Sequence, residues 1–257
     1  MNITMDMTHH GHLEVNNISD GIRIAVIGGR LKVTGDIGSN VVISQRYSAP
    51  QSCLCRFFSC INPCSRSYVD DRAGVDVAGS IGEGTSIMTE ASVRSDSCGA
   101  RVTVQSGGNV EIMSIGNNSR ISAAGAIVTK YSGQCSVLNA TNRISCDTLC
   151  SHASLTSKTA DVIIYDALSQ AKAYAKTNLY VTNAYDKAAL SASGSLVCNY
   201  TQNAILTSPQ LVEGYSALPT ELSVNLTGSL CRQVRSGTTT GGASYLLALG
   251  EPGGNEV

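Results

Sequence analysis

Four of the ten cysteines fall within twelve residues, Cys53, Cys55, Cys60 and Cys64. The chain's two phenylalanines, Phe57 and Phe58, sit among them beside Arg56. Acylated thiols, rings at the interface and a cation over anionic headgroups would tether such a segment to a membrane. Four thiolates are also the preferred ligands of zinc. The C-x-C, x₄ and x₃ spacings nonetheless lack the paired C-x-x-C knuckles of familiar zinc sites. A surface loop with incidental thiols is the bland alternative. Disulfides would need an oxidising compartment, for which the sequence carries no signal. The other six, Cys98, Cys135, Cys146, Cys150, Cys198 and Cys231, sit among small residues and read as small buried hydrophobes.

Histidine offers acid–base or metal chemistry at near-neutral pH. His9, His10 and His12 form a polar N-terminal group that would bind metal weakly or stay solvated. His152 is alone in the middle of the chain and is the one candidate for a general base; a lone histidine is more often structural. Paired carboxylates could cut polysaccharides. The carboxylates Asp76, Glu83, Glu90, Asp96, Glu111, Asp147, Asp161, Asp166 and Asp186 give no close pair on one predicted strand, and the chain has no Trp for stacking on sugars. No phosphate-cradling glycine motif occurs. A net charge of −1 with 14% charged residues excludes a dedicated nucleic-acid binder. The cofactor expectation is none, with zinc at the Cys53, Cys55, Cys60, Cys64 cluster as the alternative.

What must position these residues is a repeat. Ile37-Gly-Ser-Asn-Val-Val-Ile43, Ile81-Gly-Glu-Gly-Thr-Ser-Ile87 and Ile115-Gly-Asn-Asn-Ser-Arg-Ile121 share the pattern Ile-Gly-x-x-x-x-Ile. Further series at a spacing of six include Ile115, Ile121 and Ile127, and Leu206, Val212, Leu218, Val224 and Leu230. A looser one runs through Ile144, Cys150, Thr156, Val162, Leu168, Tyr174 and Tyr180. The series do not share a register, so bulges or short insertions are expected between them. A period of six is not helical but suits strands with one favoured inward residue per face. Three such faces close a triangular coil of about 18 residues. Gly after the inward Ile suits a corner with positive φ or a close turn. The expected fold is therefore all-β, a single-domain β-solenoid with one ejected Cys-rich loop. A β-sandwich also alternates apolar residues but does not predict Ile-Gly-x-x-x-x-Ile.

The expected boundaries are a polar segment over residues 1–17 and the solenoid over 18–235, with its loop at 45–72. Residues 236–257 form a flexible Gly-rich tail or an end cap. Asp166 to Lys176 contains good helix formers but is kept in the solenoid, with Tyr174, Tyr180 and Tyr185 as a stacking ladder on one face. Two Phe and no Trp then fit a core spread thinly along an axis.

The segments Ile81-Gly-Glu-Gly-Thr-Ser-Ile87 and Ile115-Gly-Asn-Asn-Ser-Arg-Ile121 resemble the repeats of hexapeptide acyltransferases, left-handed β-helices that use a His as general base. That resemblance spans residues 81–130 and implies His152 for the base. Gly29-Arg-Leu-Lys-Val-Thr-Gly-Asp-Ile-Gly38 and Val77-Ala-Gly-Ser-Ile81 are similar to bactofilins and to adhesin-head-like bacterial β-solenoids. Bactofilins are non-enzymatic scaffolds that polymerise end to end and associate with membranes.

The N-terminal stretch lacks the basic and apolar regions of a secretory signal, and no apolar run reaches membrane-spanning length. A cytoplasmic, peripheral-membrane location is expected, with signal-independent secretion as the other route. The reading is a scaffold or interaction protein that self-associates or binds a protein partner, meets a membrane surface through the Cys-rich loop, and binds no nucleic acid. The alternatives are an acyltransferase using His152, or a β-helix that binds or cleaves polysaccharide.

Overall fold

A computed structural model describes residues 1–46 and 74–213 and the later strands Ser223–Asn225, Gln233–Thr238 and Ser244–Leu249. Every regular element among these residues is a strand. Two long parallel sheets run side by side along one axis. The eleven-stranded sheet begins at Leu13–Val15 and ends at Gln210–Glu213; the twelve-stranded sheet runs from Met7–His10 to Ser223–Asn225. Each turn of the chain adds one strand to each sheet, which makes the molecule a β-solenoid.

The coil containing Val110–Ile115 and Arg120–Ala123 shows how side chains dictate this shape. Val110, Ile112 and Ile115 are buried while Glu111, Met113 and Ser114 face outward. In-out alternation holds for three residues and then breaks, because two consecutive outward residues separate Ile112 from Ile115. That break is a corner, since a strand's side chains alternate only while it stays straight. The same burial pattern recurs in Ile127–Ser132, Ile144–Leu149 and Val162–Ala167. With the four-residue strand Arg120–Ala123, the coil has three sides.

Most registers give an interval of 17 residues, as Val93 pairs with Val110, Val110 with Ile127, and Ile127 with Ile144, while Leu13 with Leu31 and Ile144 with Val162 keep 18. The principal inward residues follow one another at steps of six, six and five, as in Ile115, Ile121, Ile127 and Ser132. The hexad series therefore drop out of register once per coil, and the irregularities expected between them also occur, as a bulge between Ser95 and Ser97 and an extra residue between Leu155 and Val162. Beyond Ile144 the inward residues are Leu149, Leu155, Val162, Ala167, Ala173 and Leu179. Thr156, Leu168, Tyr174 and Tyr180 lie off that track. Leu211, not Val212, pairs with the inward Leu196. The segment with helical propensity instead forms Val162–Ala167 and Lys172–Ala175. Ladder pairing on both sides outweighs a propensity of a few tenths of a kcal/mol per residue.

Corners are held from coil to coil. The amide of Arg23 donates to Asp6 Oδ1 (2.7 Å), that of Ser39 to Asp20 Oδ1 (2.7 Å), and that of Ala126 to Asn109 Oδ1 (2.8 Å). Gly116 follows the inward Ile115 without positive φ. A Cβ there would lie 2.3 Å from the Gly99 carbonyl oxygen, so close approach of stacked coils is what demands glycine.

Between the two coils that flank residues 47–73 the offset is 44 residues instead of 17, yet pairing is uninterrupted. Ile43 pairs with Ile87 and Val33 with Val77. The proposed Cys-rich loop at 45–72 otherwise lies outside the described residues. Gln45 and Arg46, its first two positions, belong to the strand Val42–Arg46. At the far end Gln233–Thr238 and Ser244–Leu249 form an antiparallel hairpin, and its second strand lies beside Gln210–Glu213 and Ser223–Asn225.

Candidate functional site

Cys53, Cys55, Cys60 and Cys64, with Arg56, Phe57 and Phe58, lie outside the described residues, as does Cys231. Among the others, Cys98, Cys146, Cys150 and Cys198 are buried. Burial pushes the thiol of Cys98 up to about 11 and those of Cys146 and Cys198 up to about 12. A thiol held protonated is a poor nucleophile and a poor metal ligand. Cys135 departs from the expectation of a buried hydrophobe: it is exposed.

Its position also accounts for His152. One residue per coil takes a left-handed conformation at the same turn: Asn40, Arg101, Asn118, Cys135, His152, Gln170, Lys187 and Asn203, with φ between 53° and 60°. Gly84 holds the slot in the coil after residues 47–73. The amide of each from Asn40 to Lys187 donates to a carbonyl of the next coil, as His152 N does to Ser169 O and Gln170 N to Asp186 O. The slot asks for tolerance of left-handed φ and makes no demand on side-chain chemistry. Among the described residues, no carboxylate hydrogen-bonds the His152 imidazole.

In the N-terminal group, His9 Nε2 lies 3.0 Å from the His12 carbonyl oxygen, and the amide of Arg30 donates to His12 Nδ1 (3.2 Å). No cluster of three or more metal-ligating side chains occurs among the described residues. No helix long and apolar enough to cross a membrane occurs among them either. Several of the candidate carboxylates are engaged singly. Glu111 meets Arg94 at 3.6 Å, Glu83 meets Arg101 at 2.5 Å, and Asp166 accepts from Asn183 Nδ2 at 2.8 Å. Asp161 accepts from the Thr177 hydroxyl and from the amide and side chain of Asn178, which holds its carboxyl below the usual range.

Two outer surfaces remain as candidate sites. On the eleven-stranded sheet one outward column reads Glu14, Lys32, Asp76, Arg94, Glu111, with Lys32 Nζ 2.6 Å from Glu14 Oε1. From the next coil the same column becomes Val128, Ser145, Ile163, Tyr180 and Val197. Tyr165 (57% exposed), Tyr131 (44%) and Tyr180 (40%) leave large apolar surfaces in water there. Tyr185 and Tyr200 approach with ring centroids 6.0 Å apart. The expected Tyr174–Tyr180 ladder does not form, because Tyr174 belongs to the other sheet.

The second surface is a groove of about 680 Å³ on the twelve-stranded sheet, floored by Gln105, Ser122 and Asn139 in direct register. Met88 closes one end and Lys158 the other. Spacing by six could not reveal either column, because outward residues align only when the chain is stacked at 17. Comparison with protein-family models, characterised proteins and solved structures yields no match for this chain.

Proposed function

We propose that this chain is a non-enzymatic β-solenoid scaffold that self-associates through its first coil and offers flat ladder surfaces to partners. The observation that supports this most is the first coil. Among the described residues, Asn2–Ile3, Met7–His10 and Leu13–Val15 each pair on one side only, over the buried residues Ile3, Leu13 and Val15. Unpaired parallel strands of this kind are templates for further pairing. The opposite end carries a hairpin beside its last strands, so pairing of two N-terminal coils closes a dimer instead of extending a filament. The Cys-rich segment adds a membrane tether.

Sedimentation velocity on the full chain tests the assembly. A concentration-dependent dimer that becomes monomeric in Met7→Lys is expected, since a charge on an edge strand blocks pairing. A monomer at every concentration, or a dimer indifferent to Met7→Lys, rejects it. The tether predicts loss of membrane fractionation when Cys53, Cys55, Cys60 and Cys64 are all changed to Ser; unchanged fractionation rejects that part alone.

A further inference from the structure

We infer that the groove over Gln105, Ser122 and Asn139 is a binding site for a linear acidic oligosaccharide laid along the solenoid axis. Most Asn and Asp side chains near the corners are spent on neighbouring amides, as Asn17, Asn109 and Asn117 are. Gln105, Ser122 and Asn139 behave differently. They project from three successive strands, Thr103–Ser106, Arg120–Ala123 and Val137–Ala140, into one concavity. Their side-chain amides and hydroxyl make no hydrogen bond within the described protein.

The groove exists because the corner beside these strands is occupied by Gly107 and Ala124 before it rises again at Thr141 and Lys158. Small residues in two consecutive coils open the wall, and larger ones close it. Strands in a sheet lie about 4.8 Å apart, so the stretch from Met88 to Asn139 covers about 14 Å. Each coil therefore presents one polar group at a step close to the length of one pyranose unit. An extended peptide returns a side chain to the same face every 6.6 to 6.8 Å, roughly, and falls out of step after the first contact.

The lining donors and acceptors are neutral amides and hydroxyls, which suit sugar hydroxyls. The charged lining residue is Lys158; the nearest carboxylate residue on that corner is Glu90, stacked against Gly107 at the other end of the column and outside the lining. That places a cation where a uronate at the end of the sugar chain would sit. This inference does not depend on how the chain self-associates.

Isothermal titration of the full chain with tetragalacturonate, with cellotetraose and with an uncharged extended peptide tests it. The expected result is binding of tetragalacturonate, weakened about fivefold by Gln105→Ala or Asn139→Ala, the equivalent of one lost hydrogen bond each. Lys158→Ala should reduce it to the level of cellotetraose. Tyr180→Ser, on the other sheet, should leave it unchanged, and far-ultraviolet circular dichroism confirms that each variant is folded. Absence of binding to both sugars, binding that the groove variants do not alter, or preference for the peptide overturns the inference.

Discussion

Gly116 and Ser136 belong to the same turn in successive coils and have opposite sensitivities. Any side chain at Gly116 meets backbone of the coil before it, and backbone cannot rotate away. Gly116→Ala should cost about 2–4 kcal/mol by chemical denaturation. Ser136 follows a left-handed turn, where Thr85 and Ser119 satisfy their hydroxyls on the carbonyls of Gly38 and Gly99. Its own hydroxyl is buried and unpartnered, while later coils place Ala153 and Ala171 at that point. Ser136→Ala should therefore stabilise the protein by about 1 kcal/mol. Thiol reactivity divides on the same logic. In native conditions, site-resolved mass spectrometry should find Cys135 alkylated and Cys98, Cys146 and Cys198 protected until denaturant is added. Labelling of all four at one rate would contradict their placement.

At the scale of elements, the coils flanking residues 47–73 are joined independently of that segment. Gln45 Nε2 donates to the Gly29 carbonyl, the Thr89 hydroxyl donates to Gln45 Oε1 at 2.5 Å, and Ile37 bridges Ile81. The closure entropy of a connection of 27 residues grows slowly with its length and depends little on its sequence. Replacing residues 47–73 with a short Gly-Ser linker should leave the β-sheet circular dichroism signal and the thermal midpoint nearly unchanged. Asp36 contributes to the same junction by accepting from the amide and hydroxyl of Ser80 (2.7 and 2.8 Å), bonds that lower its pKa. A carboxyl with a folded pKa below its unfolded value of about 4 stabilises above that pH and loses the effect as acid approaches the folded pKa. The thermal midpoint should thus fall more steeply on acidification in the native chain than in Asp36→Asn, with the two curves converging in acid. Parallel curves would deny Asp36 this role.

The repeat itself was legible from Ile-Gly-x-x-x-x-Ile, because an inward Ile and a sterically required Gly recur together. Its true length was not, since six, six and five look like six until the coil has closed. Cys150, Leu168 and Tyr174 keep a spacing of six one residue away from the inward track of Leu149, Ala167 and Ala173. His152 stood out as rare chemistry in the sequence. In the fold it fills a turn slot that Arg101, Cys135 and Lys187 fill equally well, so rarity carried no information there. The groove and the aliphatic-aromatic column were invisible because both are relations between residues 17 apart on outward positions, where no strong pattern of residue type marks the period.

For the whole molecule, a solenoid's stability is a sum over coils and their nearest neighbours, so composition along the axis becomes a stability gradient. Ile81, Ile87, Ile112, Ile115, Ile121 and Ile127 fill the coils that follow residues 47–73. Farther on, Ala167 and Ala184 stand in the column that Ile115 heads, and Ala173 in the column of Ile121. Exchanging a buried Ile for Ala forfeits about 2 kcal/mol or more of apolar burial per site. The backbone ladder is the same throughout, so side-chain burial sets the difference. Native-state hydrogen exchange should show amides of Leu179–Ala184 and Ser195–Thr201 opening at lower free energy than those of Ser92–Cys98 and Val110–Ile115. Ala173→Val or Ala184→Val, on strands in the Ala-lined coils, should shift protection locally and leave the Ile-lined coils unchanged. Uniform protection along the axis would mean that the molecule opens as one unit, with coil interfaces strong enough to override the thinner core.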